Sequence, residues 1–285
     1  MTALLYPLHY EGLVREALRE DLGRAGDLTT DAIVPSDRLA RGVIVFRAAG
    51  RVAGLDVALS AFRHLDPAAR VHILVPEGND AVAGESVAVV DGLARALLTA
   101  ERVALNFLGR LSGIATATRE VVRSLEGTGA KVVCTRKTTP GLRALEKYAV
   151  RMGGGSNHRF GLDDAVLVKD NHRALAGGVA AAVARVRAHV GHMVKVEVEV
   201  DTLDELREAL DLGVDVVLLD NMALPVLRQA ATLARGRALL EASGGITPEN
   251  ARAVAETGVD MISLGWLTHS VRNLDVALEI EPDPL

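Results

Sequence analysis

One cysteine, Cys134, stands in a chain of 285 residues. That is too few for an internal disulfide framework or a multi-cysteine metal site, and it fits a protein of the reducing cytoplasm. The opening residues, MTALLYPLHYEG, lack a basic leader followed by a long apolar core, so no signal peptide is expected. The longest apolar-looking stretch, Ala94 to Thr118, carries Arg95, Glu101, Arg102 and Arg110, and these charges argue against a membrane span. Surplus positive charge is missing too. The formal net charge is -5, so the bulk balance points to neither a nucleic-acid partner nor an anionic membrane, and any anion binding must come from local basic clusters. No low-complexity segment and no obvious linker appear.

Apolar side chains are plentiful. They make up 49% of the residues against 24% charged, enough for a large core under an ordinary globular surface. The length suits one large barrel or two domains of ordinary size. Between about Glu11 and Asp91 the pattern reads as an amphipathic helix near Glu11–Leu22 followed by a small α+β layer. Its strand candidates are Gly42–Phe46, Val71–Val75 and Ser86–Val90, with a helical stretch near Val52–Leu65. A long helical run follows from Ala94 to Leu125, with a break expected near Ser112–Gly113.

After that run the pattern becomes regular. Strands are expected at Lys131–Cys134, Ala165–Val168, Val194–Val200, Val214–Leu219, Ala238–Ala242 and Met261–Leu264. Helices fall between them at Leu142–Val150, Gly178–His189, Leu203–Leu210, Leu224–Leu233 and Pro248–Glu256. Apolar strands alternating with helices imply a parallel sheet covered by helices. With no GxGxxG turn, a (β/α) barrel is favoured over a doubly wound sheet, and an incomplete one is open because eight clean units cannot be counted. Leu274–Ile280 reads as a strand that could return to the first domain.

In a parallel barrel the chemistry lies just past the C-terminal ends of the strands. Those positions hold Thr135-Arg136-Lys137, Lys169-Asp170-Asn171-His172, Asp220-Asn221, Ser243-Gly244-Gly245 and Gly265-Trp266. The loop before the second strand adds His158-Arg159. A basic pair after a strand is often only a solvated loop. Several cations held at one mouth repel one another unless an anion resides there, and arginine suits planar carboxylate or phosphate while lysine acts as a point charge. In the strand KVEVEV, period-two alternation puts Glu197 and Glu199 on one face, opposite Val196, Val198 and Val200. The pair is either structural, buried with a basic partner, or aimed at a cationic transition state or a metal-bound sugar. Ser243 to Thr247, just before a helix, resembles a phosphate cradle, and Gly265 after the next strand adds to it. Cys134 reads as a small buried hydrophobe. His172 and His269 are ambiguous, and Glu101–Arg102 reads from spacing alone as an exposed helix face.

The stretches Thr135–Arg143, Glu146–Val150, Gly153–Gly155, His158–Arg159 and Leu167–His172 resemble quinolinate phosphoribosyltransferase, also called carboxylating nicotinate-nucleotide pyrophosphorylase. The likeness extends to Glu20–Gly23, Gly26–Thr30, Glu101–Asn106, Glu197–Asp201, Asp220–Met222 and Glu241–Ile246, nearly the whole chain. It implies an α/β protein with an N-terminal α/β sandwich, 1–110 joined by a C-terminal strand in 271–285, and an incomplete (β/α) barrel of the type II phosphoribosyltransferase kind, 111–270. It implies a homodimer that joins quinolinate to phosphoribosyl pyrophosphate with Mg2+, yielding nicotinate mononucleotide, pyrophosphate and carbon dioxide for de novo NAD synthesis. By motif, Arg136, His158, Arg159 and Lys169 would surround the quinolinate carboxylates, joined by Arg102 from the other subunit. Thr135 belongs to the same substrate-binding set, and Lys137 would contact the phosphoribosyl substrate. Glu199 and Asp220 would face the ribose and its magnesium, directly or through water. Ser243, Gly244, Gly245 and Gly265 would hold the 5′-phosphate, and Leu264 belongs to the substrate-binding set.

Three alternatives stay open on the sequence. One is a same-fold phosphoribosyltransferase acting on a different acid. Another is a non-catalytic phosphometabolite binder, which would have no turnover for Lys137→Ala to abolish. The last is a lyase using Lys169 or Lys195 as a Schiff base, which borohydride would trap.

Overall fold

The computed structural model describes residues 5–281. After a short 3-10 turn, Pro7–His9, the elements run α1 Glu11–Leu22, α2 Leu28–Ile33, β1 Leu39–Phe46, β2 Gly50–Arg51, α3 Leu55–Leu65, β3 Arg70–Ile73, β4 Asp80–Ala81, β5 Glu85–Leu93 and α4 Ala94–Ser124. They continue as β6 Lys131–Val133, α5 Arg143–Met152, β7 Val166–Val168, α6 Asp170–Ala176, α7 Val179–His189, β8 Val196–Val200 and α8 Leu203–Asp211. The last are β9 Val216–Asp220, α9 Leu224–Ala234, β10 Leu239–Ser243, α10 Pro248–Ala255, β11 Met261–Ser263, α11 Trp266–His269 and β12 Val276–Glu281. Two compact units result: Met1–Arg119 with Ala144–Gly154 and Ser270–Leu285, and Glu120–Arg143 with Gly155–His269. Against the boundaries expected from the sequence, the main difference is that Ala144–Gly154 clusters with the first unit. The outermost parts of those boundaries, 1–4 and 282–285, lie outside the described residues.

In the first unit β1 pairs antiparallel with β5 on one side and with β12 on the other, and β3 extends the sheet to the order β12-β1-β5-β3. The tail strand therefore returns to the N-terminal sheet, as its alternation suggests. Ile44, Phe46, Val87, Val90, Phe62 and Leu97 are fully buried in this unit. Removing side chains of this size from water stabilises by about 1.5–3 kcal/mol each. The carboxylate of Glu77 accepts the backbone N–H groups of Gly54 and Leu55 at the start of α3, satisfying donors that the helix cannot.

The helix α4 runs 31 residues without the expected break. Ser112 and Gly113 are small there because other backbone comes close. Ser112 Oγ lies 3.1 Å from both the N–H and the C=O of Ala53. A Cβ on Gly113 would lie 2.2 Å from the Arg272 carbonyl oxygen. Glycine inside a helix thus marks a packing contact here, not a terminus.

The second unit is a six-stranded parallel sheet in the order β6-β11-β10-β9-β8-β7. This is the cyclic order of a barrel with one seam unpaired, between β6 and β7, where a single bridge links Val133 to Ser156. The barrel is incomplete. Its core joins Val168, Val198, Val217, Leu219, Leu240 and Ile262 to the buried faces of the surrounding helices, among them Leu206, Leu227 and Ala251. Elements that the sequence pattern did not distinguish are short: α2, α6, α11, β2 and β4. Among the described residues no helix is long and apolar enough to cross a membrane.

Candidate active site

The strand ends of the second unit surround a cavity of about 730 Å³. It is lined by Thr135, Arg136 and Lys137 past β6, His158 and Arg159 from the following loop, and Lys169 past β7. The lining continues with Glu199, Asp220, Asn221, Ser243 to Thr247, Gly265, Trp266 and His269. Parallel strands place every C-terminal end at one mouth, so residues scattered over 135 positions of sequence converge.

The cationic wall is built, not incidental. The Nε atoms of Arg136 and Arg159 are buried and have no hydrogen-bond partner among the described residues. Arg159 is tethered by Nη1, which donates to the Ala165 carbonyl at 3.0 Å, and by its backbone N–H, which donates to His158 Nδ1 at 2.8 Å. Burial, and then the charge of Arg136, pull the Arg159 guanidinium below its ordinary value. Two cations held this close with orphaned donors are what an anion would satisfy. Lys137 is exposed, but its chain path is fixed: its N–H donates to Thr135 Oγ1 at 3.0 Å and its carbonyl accepts from Thr268 Oγ1 at 2.7 Å. Its stem crosses Gly265, where a Cβ would lie 2.8 Å from Lys137 Cδ.

Every residue of β8 is buried, and its two acids take different partners. Glu199 Oε2 accepts from Lys169 Nζ at 2.8 Å. Glu197 Oε2 lies 2.9 Å from His158 Nε2, with Glu241 Oε2 at 3.7 Å from the same nitrogen. Because His158 Nδ1 accepts a backbone N–H, the ring proton sits on Nε2 and is donated to Glu197. Both ring nitrogens therefore serve the protein itself. Burial, and then the Glu197 charge, push the Glu241 carboxyl up to about 7. Among the described residues His158, Glu197 and Glu241 bring atoms able to ligate a metal within 4.8 Å of one another, a set distinct from the Glu199 and Asp220 pair expected near magnesium.

Past β9 and β10 the walls are polar and tight. Asp220 Oδ2 accepts from Asn221 Nδ2 at 2.8 Å. The Ser243–Thr247 loop leads into α10, whose Thr247 N-cap is braced reciprocally by Asn250. Asn250 Nδ2 also donates to the Gly245 carbonyl at 3.0 Å. The helix N-terminus and glycine backbone thus face the same mouth, the arrangement that suits phosphate.

Of the residues assigned to catalysis or substrate binding from the sequence, two do not line this cavity. Leu264 is buried as core, its N–H donating to the Val133 carbonyl at 3.1 Å, while its neighbours Ser263 and Gly265 reach the lining. Arg102 sits on α4 with its side chain 64% exposed and 3.7 Å from Glu101. Cys134 is buried, with Sγ 3.4 Å from Asn157 Oδ1. His172 braces the start of α6, its Nδ1 accepting the Lys169 N–H at 2.9 Å, and His269 joins the lining. Sequence reasoning missed Glu241 and gave Asn221 no role. The alternation rule could have found Glu241, which lies two residues before Ser243 on the same strand face.

Known proteins match this chain along nearly its full length. The family model described as quinolinate phosphoribosyl transferase, N-terminal domain, matches residues 27–112, and the one for the C-terminal domain matches 114–279. A Bacillus subtilis protein named probable nicotinate-nucleotide pyrophosphorylase [carboxylating] is 45% identical over 273 residues, covering 96% of this chain and 94% of that protein. A Mycobacterium leprae nicotinate-nucleotide pyrophosphorylase [carboxylating] is 45% identical over 272 residues, with 94% and 95% covered. The crystal structure of NadC from Streptococcus pyogenes superposes with a TM-score of 0.94 at 41% identity, covering 98% of this chain and 99% of that one.

Proposed function

The chain belongs to the quinolinate phosphoribosyltransferase family, and we propose from that premise how its cavity carries out the family's reaction. The enzyme joins quinolinate to phosphoribosyl pyrophosphate in NAD biosynthesis, releasing pyrophosphate and carbon dioxide and leaving nicotinate mononucleotide. The observation that carries the assignment of residues is the pair of buried, unpartnered Nε atoms of Arg136 and Arg159 in one cavity with Lys169. Quinolinate brings two carboxylates, and these three cations match them, the arginines as planar forks and the lysine as a point charge. His158 stands beside them and holds Arg159 in place through Nδ1.

The phosphoribosyl substrate takes the remaining walls. Lys137 and Thr135 meet it from the β6 end, and Ser243, Gly244, Gly245 and Gly265 hold its 5′-phosphate by backbone approach. The pyridine nitrogen attacks C1 of the ribose as the bond from C1 to pyrophosphate breaks. Positive charge grows on the ribose, and the carboxylates of Glu199 and Asp220 stabilise it in a site of low dielectric. The bond from ring C2 to its carboxylate then breaks, and the electron pair stays on C2 beside the ribosylated, cationic nitrogen. One proton adds at C2, so one proton is consumed per turnover. No separate electron-sink cofactor is needed.

Glu199 and Asp220 offer hard carboxylate oxygens, the donor type that Mg2+ takes along with substrate oxygens and water. Bound there, directly or through water, Mg2+ would neutralise the charge of the departing pyrophosphate. Arg102 is exposed on α4 and free to complete the dicarboxylate pocket of a second copy in a homodimer. A cytoplasmic setting agrees with the single buried cysteine. The test is turnover with Mg2+ and phosphoribosyl pyrophosphate, comparing quinolinate, nicotinate and nicotinamide. Pyrophosphate release with quinolinate alone is expected. Release with nicotinate but not quinolinate would replace this reading with that of a same-fold transferase for another acid.

A further inference from the structure

Asn221 is the one non-glycine residue among those described with a positive φ, at +52°. Every other positive-φ position among them is a glycine. A residue with a Cβ pays free energy for this conformation that glycine does not. A turn that needed only the backbone would use glycine here too, so the Asn221 side chain must return something.

Its contacts say what. The amide Nδ2 donates to Asp220 Oδ2 at 2.8 Å. The backbone N–H donates to the Ser243 carbonyl at 2.9 Å. The amide oxygen occupies the space where a side chain on Gly244 would begin, since a Cβ there would lie 2.2 Å from Asn221 Oδ1. Asp220 and Ser243 are themselves paired in register across β9 and β10. One side chain is thereby wedged between a carboxylate and the glycine loop, and it occupies one carboxylate oxygen while leaving Oδ1 for substrate.

We propose that Asn221 is a positioning residue that locks the Asp220 carboxylate to the Ser243–Gly245 loop and so sets the spacing between the ribose and phosphate ends of the phosphoribosyl site. This rests on the assignment of Asp220 and the glycine loop to the phosphoribosyl substrate made above. Gly244 then has two duties. It exposes backbone to phosphate, and it leaves room for the Asn221 amide.

Two variants separate the side chain from the backbone. Asn221→Gly keeps the left-handed turn and removes the amide. Asn221→Asp keeps size and turn preference but sets an acceptor against Asp220 Oδ2. Calorimetry with ribose 5-phosphate, which carries both ends and no leaving group, is read without metal. Both variants are expected to keep a cooperative melt, a few degrees at most below the parent, and to bind ribose 5-phosphate about tenfold more weakly, because the freed Asp220 carboxylate must be ordered again on binding, at up to the cost of a hydrogen bond to a charged group. The value of kcat/KM for phosphoribosyl pyrophosphate falls at least as far, while the Kd for quinolinate alone stays within about twofold, a split that general loosening would not give. Binding of ribose 5-phosphate by Asn221→Gly within about twofold of the parent overturns the proposal. So does Asn221→Asp behaving as the parent, or an equal loss of quinolinate affinity. A parent protein that binds no ribose 5-phosphate and turns nothing over overturns the functional reading, and the proposal with it.

Discussion

Replacing Arg159 by methionine should cost the protein its dicarboxylate while costing it almost no stability. Methionine keeps much of the stem volume and removes the charge. A planar guanidinium gripping a carboxylate makes two charge-assisted hydrogen bonds worth about 1.5–3 kcal/mol each, so quinolinate should bind about a hundredfold to ten-thousandfold more weakly. The folded protein without ligand feels opposing effects. It loses the bond from Nη1 to the Ala165 carbonyl, worth about 0.5–1.5 kcal/mol. It also sheds a cation that burial and Arg136 both disfavour and whose Nε is orphaned. These nearly cancel, so the midpoint should move by no more than about 4 °C, the effect of roughly 1 kcal/mol in a chain of this class. Thermal melts with and without quinolinate read both at once. At a hundred times its Kd, the ligand stabilises the parent by about 2.7 kcal/mol. The variant at the same concentration should show no shift beyond about 2 °C, because RT ln(1 + [L]/Kd) is then only about 0.4 kcal/mol or less. A variant that keeps the parent's quinolinate-dependent shift would refute the claim that Arg159 grips the dicarboxylate. One that unfolds unliganded would refute the claim that the cationic pair is strained.

Three further outcomes follow from the geometry. Because Glu241 is pushed up to about 7 from an ordinary 4.5, its contribution to stability is present below about 4.5 and lost as pH rises through about 7. Urea denaturation should therefore show Glu241→Gln gaining on the parent from about pH 4.5 to 7 and holding that lead above, and a constant difference would contradict the buried-acid account. Gly113→Ala should destabilise by about 1–3 kcal/mol from overpacking against the Arg272 carbonyl, outweighing the gain of about 1 kcal/mol that alanine brings to a helix; a more stable variant would mean that the Arg272 backbone does not crowd this position. Glu77→Ala should cost about 0.5–2 kcal/mol by stripping the acceptor from the start of α3, and an unchanged denaturation midpoint would show that water replaces it at no cost.

The regular part of the fold was legible because a buried parallel strand is a short apolar run, and six such runs between helices leave few alternatives. The residue after each run then named most of the site: Arg136, Lys137, Lys169, Asp220 and the Ser243–Gly245 loop all line the cavity. Legibility failed where a residue's reason lies far away in sequence. Gly113 resembles a helix break until the Arg272 backbone is seen against it, about 160 positions on. Ala144–Gly154 reads as a barrel element by order, yet it clusters with the first unit. Alternation with Ser243 points Glu241 toward the same face, but nothing local to its strand signals the Glu197 and His158 that surround it. The conformation of Asn221 is invisible in a composition of strand end and turn, because asparagine suits many turns. Arg102 is the opposite case: its spacing says only exposed helix face, and its proposed role came from resemblance, which sedimentation together with Arg102→Ala kinetics would test.

The most direct test of the central claim uses quinolinate labelled in its 2-carboxyl group. With phosphoribosyl pyrophosphate and Mg2+, the account predicts labelled carbon dioxide, pyrophosphate and nicotinate mononucleotide in a 1:1:1 ratio, with all three lost together in Arg159→Met. Pyrophosphate without labelled carbon dioxide, or a nucleotide product that retains the label, would contradict it.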